Sequence, residues 1–176
     1  MLLSGTRDSD AVRRKFTYIM PSGNTALYDA VSLGLKHVRR GSRPRKFLLL
    51  ISDGEDNNSR STFRDIKNQL KESDVTVYAV GVGGYSFRKG LSGSGILEEL
   101  TTVTGGRAYF ADKVVEMDEA FEQIGLEMRH LYSIGYYPAD FALDGKWHLL
   151  KIKLSIPTVS SRLFIRSRKG YYAEIK

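Results

Sequence analysis

The sequence predicts an α/β fold, an open parallel sheet flanked by helices, followed by a C-terminal antiparallel β extension. Three observations carry that reading. Short apolar runs at 46–52 and 75–83, suited to strands covered on both faces, alternate with segments whose apolar residues recur at helical spacing. The alternation continues to about residue 131, as crossovers around a parallel sheet require. After Tyr132 the pattern changes to period two, with turn-forming residues between the apolar stretches. A boundary near residue 131 then divides an α/β domain, 1–131, from an antiparallel β lobe, 132–176.

Each element has its own justification. Residues 25–38 place Leu27, Ala30, Val31, Gly34, Leu35 and Val38 on one helical face, with Asn24 or Thr25 as the N-cap. "KFLLLIS" follows as a continuous apolar run and predicts a strand buried on both faces. A second helix starts near Thr62, with Asp65 placed to complete a capping box and Phe63, Ile66 and Leu70 turned inward. "VTVYAVGVG", 75–83, is rich in β-branched residues and predicts a second strand. "GSGILEELTTVTGG" predicts a polar, flexible lead-in holding Ser94, with Ser92 just before it, and then a helix carrying Ile96, Leu97, Leu100 and Val103. The pair Gly105 and Gly106 can supply its left-handed cap. "RAYFA" predicts a third strand, and a fourth helix over about 117–131 would bury Phe121, Ile124, Met128 and Leu131. Beyond it, "YSIGYYP", "WHLLKIKLSI" and "RLFIRSRKGYYA" predict three consecutively paired antiparallel strands.

Composition narrows the function classes. With 176 residues, 41% hydrophobic and 27% charged, the chain can bury a real core and matches neither disordered nor fibrous sequences. The absence of cysteine excludes disulfides, thiolate metal centres and cysteine nucleophiles. Only two aliphatic residues precede the charges of "MLLSGTRDSD", too few for a signal-peptide core, so the chain as written is expected to be soluble and inside the cell. The net charge of +7 is concentrated after Arg129 and in "RRGSRPRK", 39–46. Either patch could touch nucleic acid or anionic lipid, but no aromatic-and-basic RNA motif or recognition helix accompanies them, and a solvated loop and polar sheet face is the plainer reading.

Candidate chemistry gathers where the first strand ends. In an open parallel sheet, ligands collect outside the carboxyl ends of the strands, and Asp53 closes "FLLLIS" with Glu55 and Asp56 just beyond. Such an oxygen-rich turn suits a hard cation such as Mg²⁺, although the same acids could simply solvate a strand-to-helix loop. "SGNTALYDA" adds a hydroxyl, Thr25, on the lead-in of the preceding helix.

With these stretches in order, "GNTALYDAV", "LLLISDGEDN", "VYAVGVG" and "TGGRAYF", the sequence resembles the later part of a von Willebrand factor type A (VWA) domain from about residue 8 onward. The tail, "YSIGYYPADFALDGKWHLLKIKL" with "RSRKGYYA", further resembles a bacterial VWA-related subgroup often described from Acidobacteria. The resemblance implies a partial VWA, Rossmann-like parallel sheet lacking the first strands. It also implies a metal-ion-dependent adhesion site, in which Mg²⁺ or Mn²⁺ held by three loops is completed by an acidic group from a protein partner. Thr25 matches the threonine of the second loop and Asp53 the aspartate of the third. The first loop, Asp-x-Ser-x-Ser after an apolar strand, is absent; Asp8, Ser9 and Asp10 have the wrong spacing and no buried strand before them. By that comparison the chain begins in mid-domain, as a truncated or split gene would. Its metal affinity is expected to be weak or absent, and the "FLLLIS" edge is left to a second copy or a separate N-terminal segment. Localisation stays open, since relatives often carry export signals.

The expected role is therefore protein interaction, adhesion or scaffolding through an incomplete adhesion site, without catalysis. Two other classes were weighed. An enzyme could hold nucleotide or phosphate at "GLSGSGILEEL", but neither a Walker lysine pattern nor a dinucleotide register is present, and "KGLSGSG" misses a hydrolase elbow by one position. A nucleic-acid-binding module could use the basic loop at 39–46. His37, His130 and His148 form no metal pair at helical spacing, and Trp147 with the tyrosines of "GYYP" and "GYY" reads as a small aromatic core, or as a contact surface if exposed.

Overall fold

The computed structural model describes residues 6–8, 10–11, 14, 23–83, 91–138, 144–155 and 165–173. Helix α1 (Leu27–Arg39) leads into strand β1 (Lys46–Ser52), then α2 (Phe63–Lys71), β2 (Val75–Val82), α3 (Leu91–Val103), β3 (Ala108–Ala111) and α4 (Val114–Arg129). The three strands form one parallel sheet in the order β1-β2-β3, with Lys46 beside Val75 and Ser52 beside Gly81. This is the α/β architecture that the sequence predicts. The remaining two strands, β4 (Trp147–Leu149) and β5 (Gly170–Tyr172), pair antiparallel in a separate sheet.

The helices divide unequally between the two faces. Leu27, Val31 and Leu35 of α1, Ile66 and Leu70 of α2, and Leu97, Leu100 and Val103 of α3 all pack with Leu50, Val75, Val77 and Ala79 on one face. On the other face a smaller cluster joins Ala120 and Ile124 of α4 to Tyr78, Val80 and Ala111. Burying an aliphatic side chain contributes about 1.5–3 kcal/mol, so the three-helix face supplies most of the cohesion.

That imbalance corrects one expectation. β1 was expected to be buried on both faces, yet Leu49 is 45% exposed and Ile51 51% exposed, while Leu50 between them is buried. Among the described residues the one helix on that face, α4, sits over β2 and β3 and not over β1, where Phe47 meets the ring of Tyr78 at 6.4 Å. β1 also lies at the edge of the sheet, with no strand paired to its outer side among the described residues.

Two glycines mark close approaches. Gly105 takes φ +83° after α3, and the amides of Gly105 and Gly106 return to the carbonyls of Thr102 and Thr101, which gives the predicted left-handed helix end. A Cβ on Gly106 would fall 1.8 Å from the Val77 carbonyl oxygen, so only glycine lets the chain run this close to β2.

Other boundaries differ from the sequence reading. α4 begins at Val114 rather than near 117 and ends at Arg129. Ser92 and Ser94 lie within α3, which begins at Leu91, and not in a loop before it. "YSIGYYP", 132–138, forms no strand, and the two long terminal strands contract to three residues each, extended only by the hydrogen bonds Leu150 N to Lys169 O and Ala173 N to Lys146 O. Period-two alternation is local, whereas a ladder needs a partner at every rung. Parts of those predicted strands, including 156–164, lie outside the described residues.

The hairpin is tied down by arginines. Arg168 donates to the carbonyls of Lys71 and Ser73 at 2.9 and 3.1 Å, closing the C-terminus of α2, and Arg166 pairs with Glu127 of α4. Trp147 stacks edge-on against Tyr172 at 5.0 Å and carries the Lys71 ammonium 5.1 Å from its ring. The predicted aromatic core is only partly formed: Trp147 meets Tyr172 and Tyr136 meets Tyr171 ring to ring, but Tyr136 is half-exposed and Tyr137 almost fully exposed, as is Tyr132 before them.

Candidate functional site

The C-terminal end of β1 meets two helix N-termini. Asp53, half-buried, accepts the Glu55 amide at 3.0 Å, and Ser52 Oγ accepts the Gly54 amide at 3.1 Å, which folds the chain back sharply after the strand. Gly54 stands at φ +81°, and a Cβ there would lie 2.1 Å from the carbonyl oxygen of Gly93 in the first turn of α3. A Cβ on Gly93 would in turn lie 2.3 Å from the Asp53 carbonyl oxygen. The two backbones touch, so Gly54 and Gly93 together let the first turn of α3 rest on the Asp53–Gly54 turn.

The start of α1 is held differently from expectation. Its N-cap position is Ala26, without a side-chain cap, in place of Asn24 or Thr25. The orphan amides are satisfied instead by the loop after β1: Tyr28 N–H donates to Asp56 Oδ1 at 3.1 Å and Asp29 N–H to Ser59 Oγ at 3.1 Å. The exchange runs both ways. Asp29 accepts the amides of Arg60 and Ser61 at 2.9 and 3.0 Å, and the Thr25 carbonyl accepts those of Asn57 and Asn58. Thr25 N–H itself donates to Asn57 Oδ1 at 2.9 Å. Loop 56–61 and the first turn of α1 are therefore one hydrogen-bonded unit.

The electrostatics follow. Burial opposes ionisation of Asp56, but hydrogen bonds from the Ser59 hydroxyl and from the amides of Tyr28, Ser59 and Leu27 outweigh it and hold the carboxyl below its ordinary range. Asp29 is likewise held low, first by the Arg60 amide and then by Ser61. Burial, and then the negative Asp56, push the Tyr28 phenol up.

The two residues singled out from sequence thus flank one loop. Thr25 is exposed and bonded through its backbone to Asn57 and Asn58, and Asp53 stands where that loop begins. Of the two further acids in the oxygen-rich turn, Asp56 is committed to the Tyr28 amide of α1, and Glu55 is exposed. Among the described residues no three acidic or histidine side chains gather as a metal would require. Asp8 Oδ1 accepts the amides of Asp10 and Ala11, a local turn. His130 bonds the Leu126 carbonyl and His148 bonds Asp144, ordinary positions for both. Two open grooves of about 580 and 520 Å³ lie beside α3 and Lys169, and neither is lined by Thr25 or Asp53.

Sequence reasoning missed Asn57, Ser59 and Asp29. Their one signal in the sequence was a loop after β1 unusually rich in Asp, Asn and Ser, residue types that cap helices.

A family model for the von Willebrand factor type A domain matches residues 3–123. The chain belongs to the VWA family. Domains of this kind generally mediate protein interaction or adhesion and are generally non-catalytic. Comparison with curated proteins gives no match. Among solved structures, an uncharacterized membrane spanning protein from Vibrio fischeri is similar at 22% identity, over 69% of this chain and 67% of that one, with a TM-score of 0.42. Among the described residues no helix of this VWA chain is long and apolar enough to cross a membrane.

Proposed function

We propose that the chain is a non-catalytic interaction module whose partner meets it at the rim made by Asp53, the 56–61 loop and Thr25 at the start of α1. The observation that carries this reading is the reciprocal hydrogen bonding of that loop with α1, which holds a polar rim in fixed geometry at the carboxyl end of β1. In the family's adhesion-site pattern a divalent cation would join such a rim to an acidic group of the partner. Here the donor set does not fit a tightly held ion: Mg²⁺ takes six oxygens, and Thr25 and Asp53 offer two side chains while Asp56 is spent on backbone amides. Affinity for Mg²⁺ or Mn²⁺ is therefore weak or absent, and recognition rests on the loop's own polar groups.

Titration calorimetry with Mg²⁺ or Mn²⁺ on the wild type and on Asp53→Ala tests the metal part. The expected result is no tight binding by either protein; tight binding that disappears in the variant would overturn it. A thermal-shift screen tests the class, because stabilisation by nucleotides and not by divalent ions would replace the interaction reading with an enzyme.

A further inference from the structure

The outward side of α3 and the C-terminal hairpin enclose a channel whose charges are unevenly matched. Gly95, Glu98, Glu99 and Thr102 recur at helical spacing and form the outer stripe of α3. Trp147 and Leu149 stand opposite one half of that stripe, and residues 165–167 opposite the other. The grooves of about 520 and 580 Å³ beside α3 have Glu98, Thr102 and Lys169 in common, so they meet over the middle of the helix as one channel. Between Gly95 and Val103 the helical wall rises about 12 Å, the length of about four extended residues. Within the channel Lys67 is paired with Glu99, and Arg166 with Glu127. Among the described residues the Lys71 ammonium meets only the Trp147 ring, at 5.1 Å, the Arg107 guanidinium meets only the Tyr109 ring, at 4.9 Å, and exposed Lys169 has no ion pair. These three cations face one carboxylate without an ion pair there, Glu98, and Leu149, 80% exposed, adds an apolar side chain at the Trp147 end.

We infer that this channel is a binding site, separate from the rim, for an extended acidic segment of a protein partner. Carboxylates of the segment pair with Lys169 and Arg107, and an apolar side chain rests on Trp147 and Leu149. Glu98 selects the class of occupant. A nucleic-acid strand carries a negative charge at every repeat and sets one of them against Glu98, whereas a peptide spaces its acids and can offer a backbone N–H there. Neither Thr25 nor Asp53 borders the channel, so the rim and the channel can fail independently.

Trp147 is the only tryptophan in the sequence, so its fluorescence reports on the channel directly. The full chain is titrated with capped pentapeptides in which two glutamates flank a leucine at each possible spacing. At least one should shift the emission saturably, and the same peptide with glutamine in place of glutamate should bind at least about tenfold more weakly. Lys169→Glu and Arg107→Glu, both at exposed positions, should remain folded by circular dichroism and each weaken binding about three- to tenfold, while Glu98→Gln should tighten it about two- to threefold. Asp53→Ala should leave the affinity unchanged. No saturable shift with any of the peptides overturns the inference, as does equal binding of the glutamine peptide or tighter binding of a single-stranded oligonucleotide of the same length. Affinity untouched by Lys169→Glu but lost in Asp53→Ala moves the peptide to the rim and overturns the channel as its site.

Discussion

Replacing Asp56 with asparagine removes a charge from the start of α1 while keeping an acceptor there, and replacing it with alanine removes both. The carboxylate serves Tyr28 N–H, Ser59 N–H and the Ser59 hydroxyl at once. Loss of a helix cap costs about 0.5–2 kcal/mol, and a charge near an exposed helix N-terminus contributes about 0.3–1 kcal/mol. Asp56 is only half-buried, so solvent screening keeps the charge contribution toward the lower end. The expected losses are about 0.5–1 kcal/mol for Asp56→Asn and about 2 kcal/mol for Asp56→Ala. With a urea dependence of roughly 2 kcal/mol per molar, the midpoints should fall by about 0.3–0.5 M and about 1 M. Because the folded carboxyl is held below its ordinary value, its stabilisation is fully present above about pH 4 and is lost as pH falls through the folded pKa. The gap between wild type and Asp56→Asn should therefore be widest near pH 7 and close on acidification. Equal midpoints at pH 7, or a gap that persists in acid, would falsify the assignment of Asp56 as the cap of α1.

Three further outcomes are expected. Gly54→Ala sets a Cβ 2.1 Å from the Gly93 carbonyl oxygen at a left-handed φ, and thermal denaturation should show a loss of about 2–4 kcal/mol; a change below about 0.5 kcal/mol would contradict the close approach of α3. Arg168→Ala removes both donors to the end of α2, so hydrogen exchange should accelerate at 147–149 and 170–172 well before β2 is affected; uniform protection would mean the hairpin is held otherwise. Burial and then the neighbouring Glu127 push the Tyr78 phenol up to about 12, so ultraviolet titration should resolve one tyrosine ionising late, and Glu127→Gln should bring it down only part of the way.

The helices and central strands were legible because their signals are local. Apolar spacing placed α1, and the Thr62 and Asp65 pair marked the start of α2 by a capping box that the structure contains. The exposure of Leu49 and Ile51 was not legible, since a run of aliphatic residues reports affinity for burial and says nothing of how many helices reach that side of the sheet. The role of Asp56 was hidden for a related reason. Its partner, Tyr28, lies 28 positions away, and a carboxylate after a strand reads equally well as a ligand or as another helix's cap until the two segments meet. In the tail, alternation overstated the strands because Tyr136 and Tyr137 alternate without a neighbour to pair with, and Tyr136 meets Tyr171 ring to ring instead.

The shared bonding of loop 56–61 and α1 makes the rim a lever as well as a surface. A molecule that grips Asn57 or Ser59 also pulls on the amides of Thr25 and Asp29, so any tightening or loosening there is felt as fraying or locking of the opening helical turn. Leu27, seated in the interior on that same turn, would carry the strain inward, and occupancy at the outer lip would register in the packing beneath it.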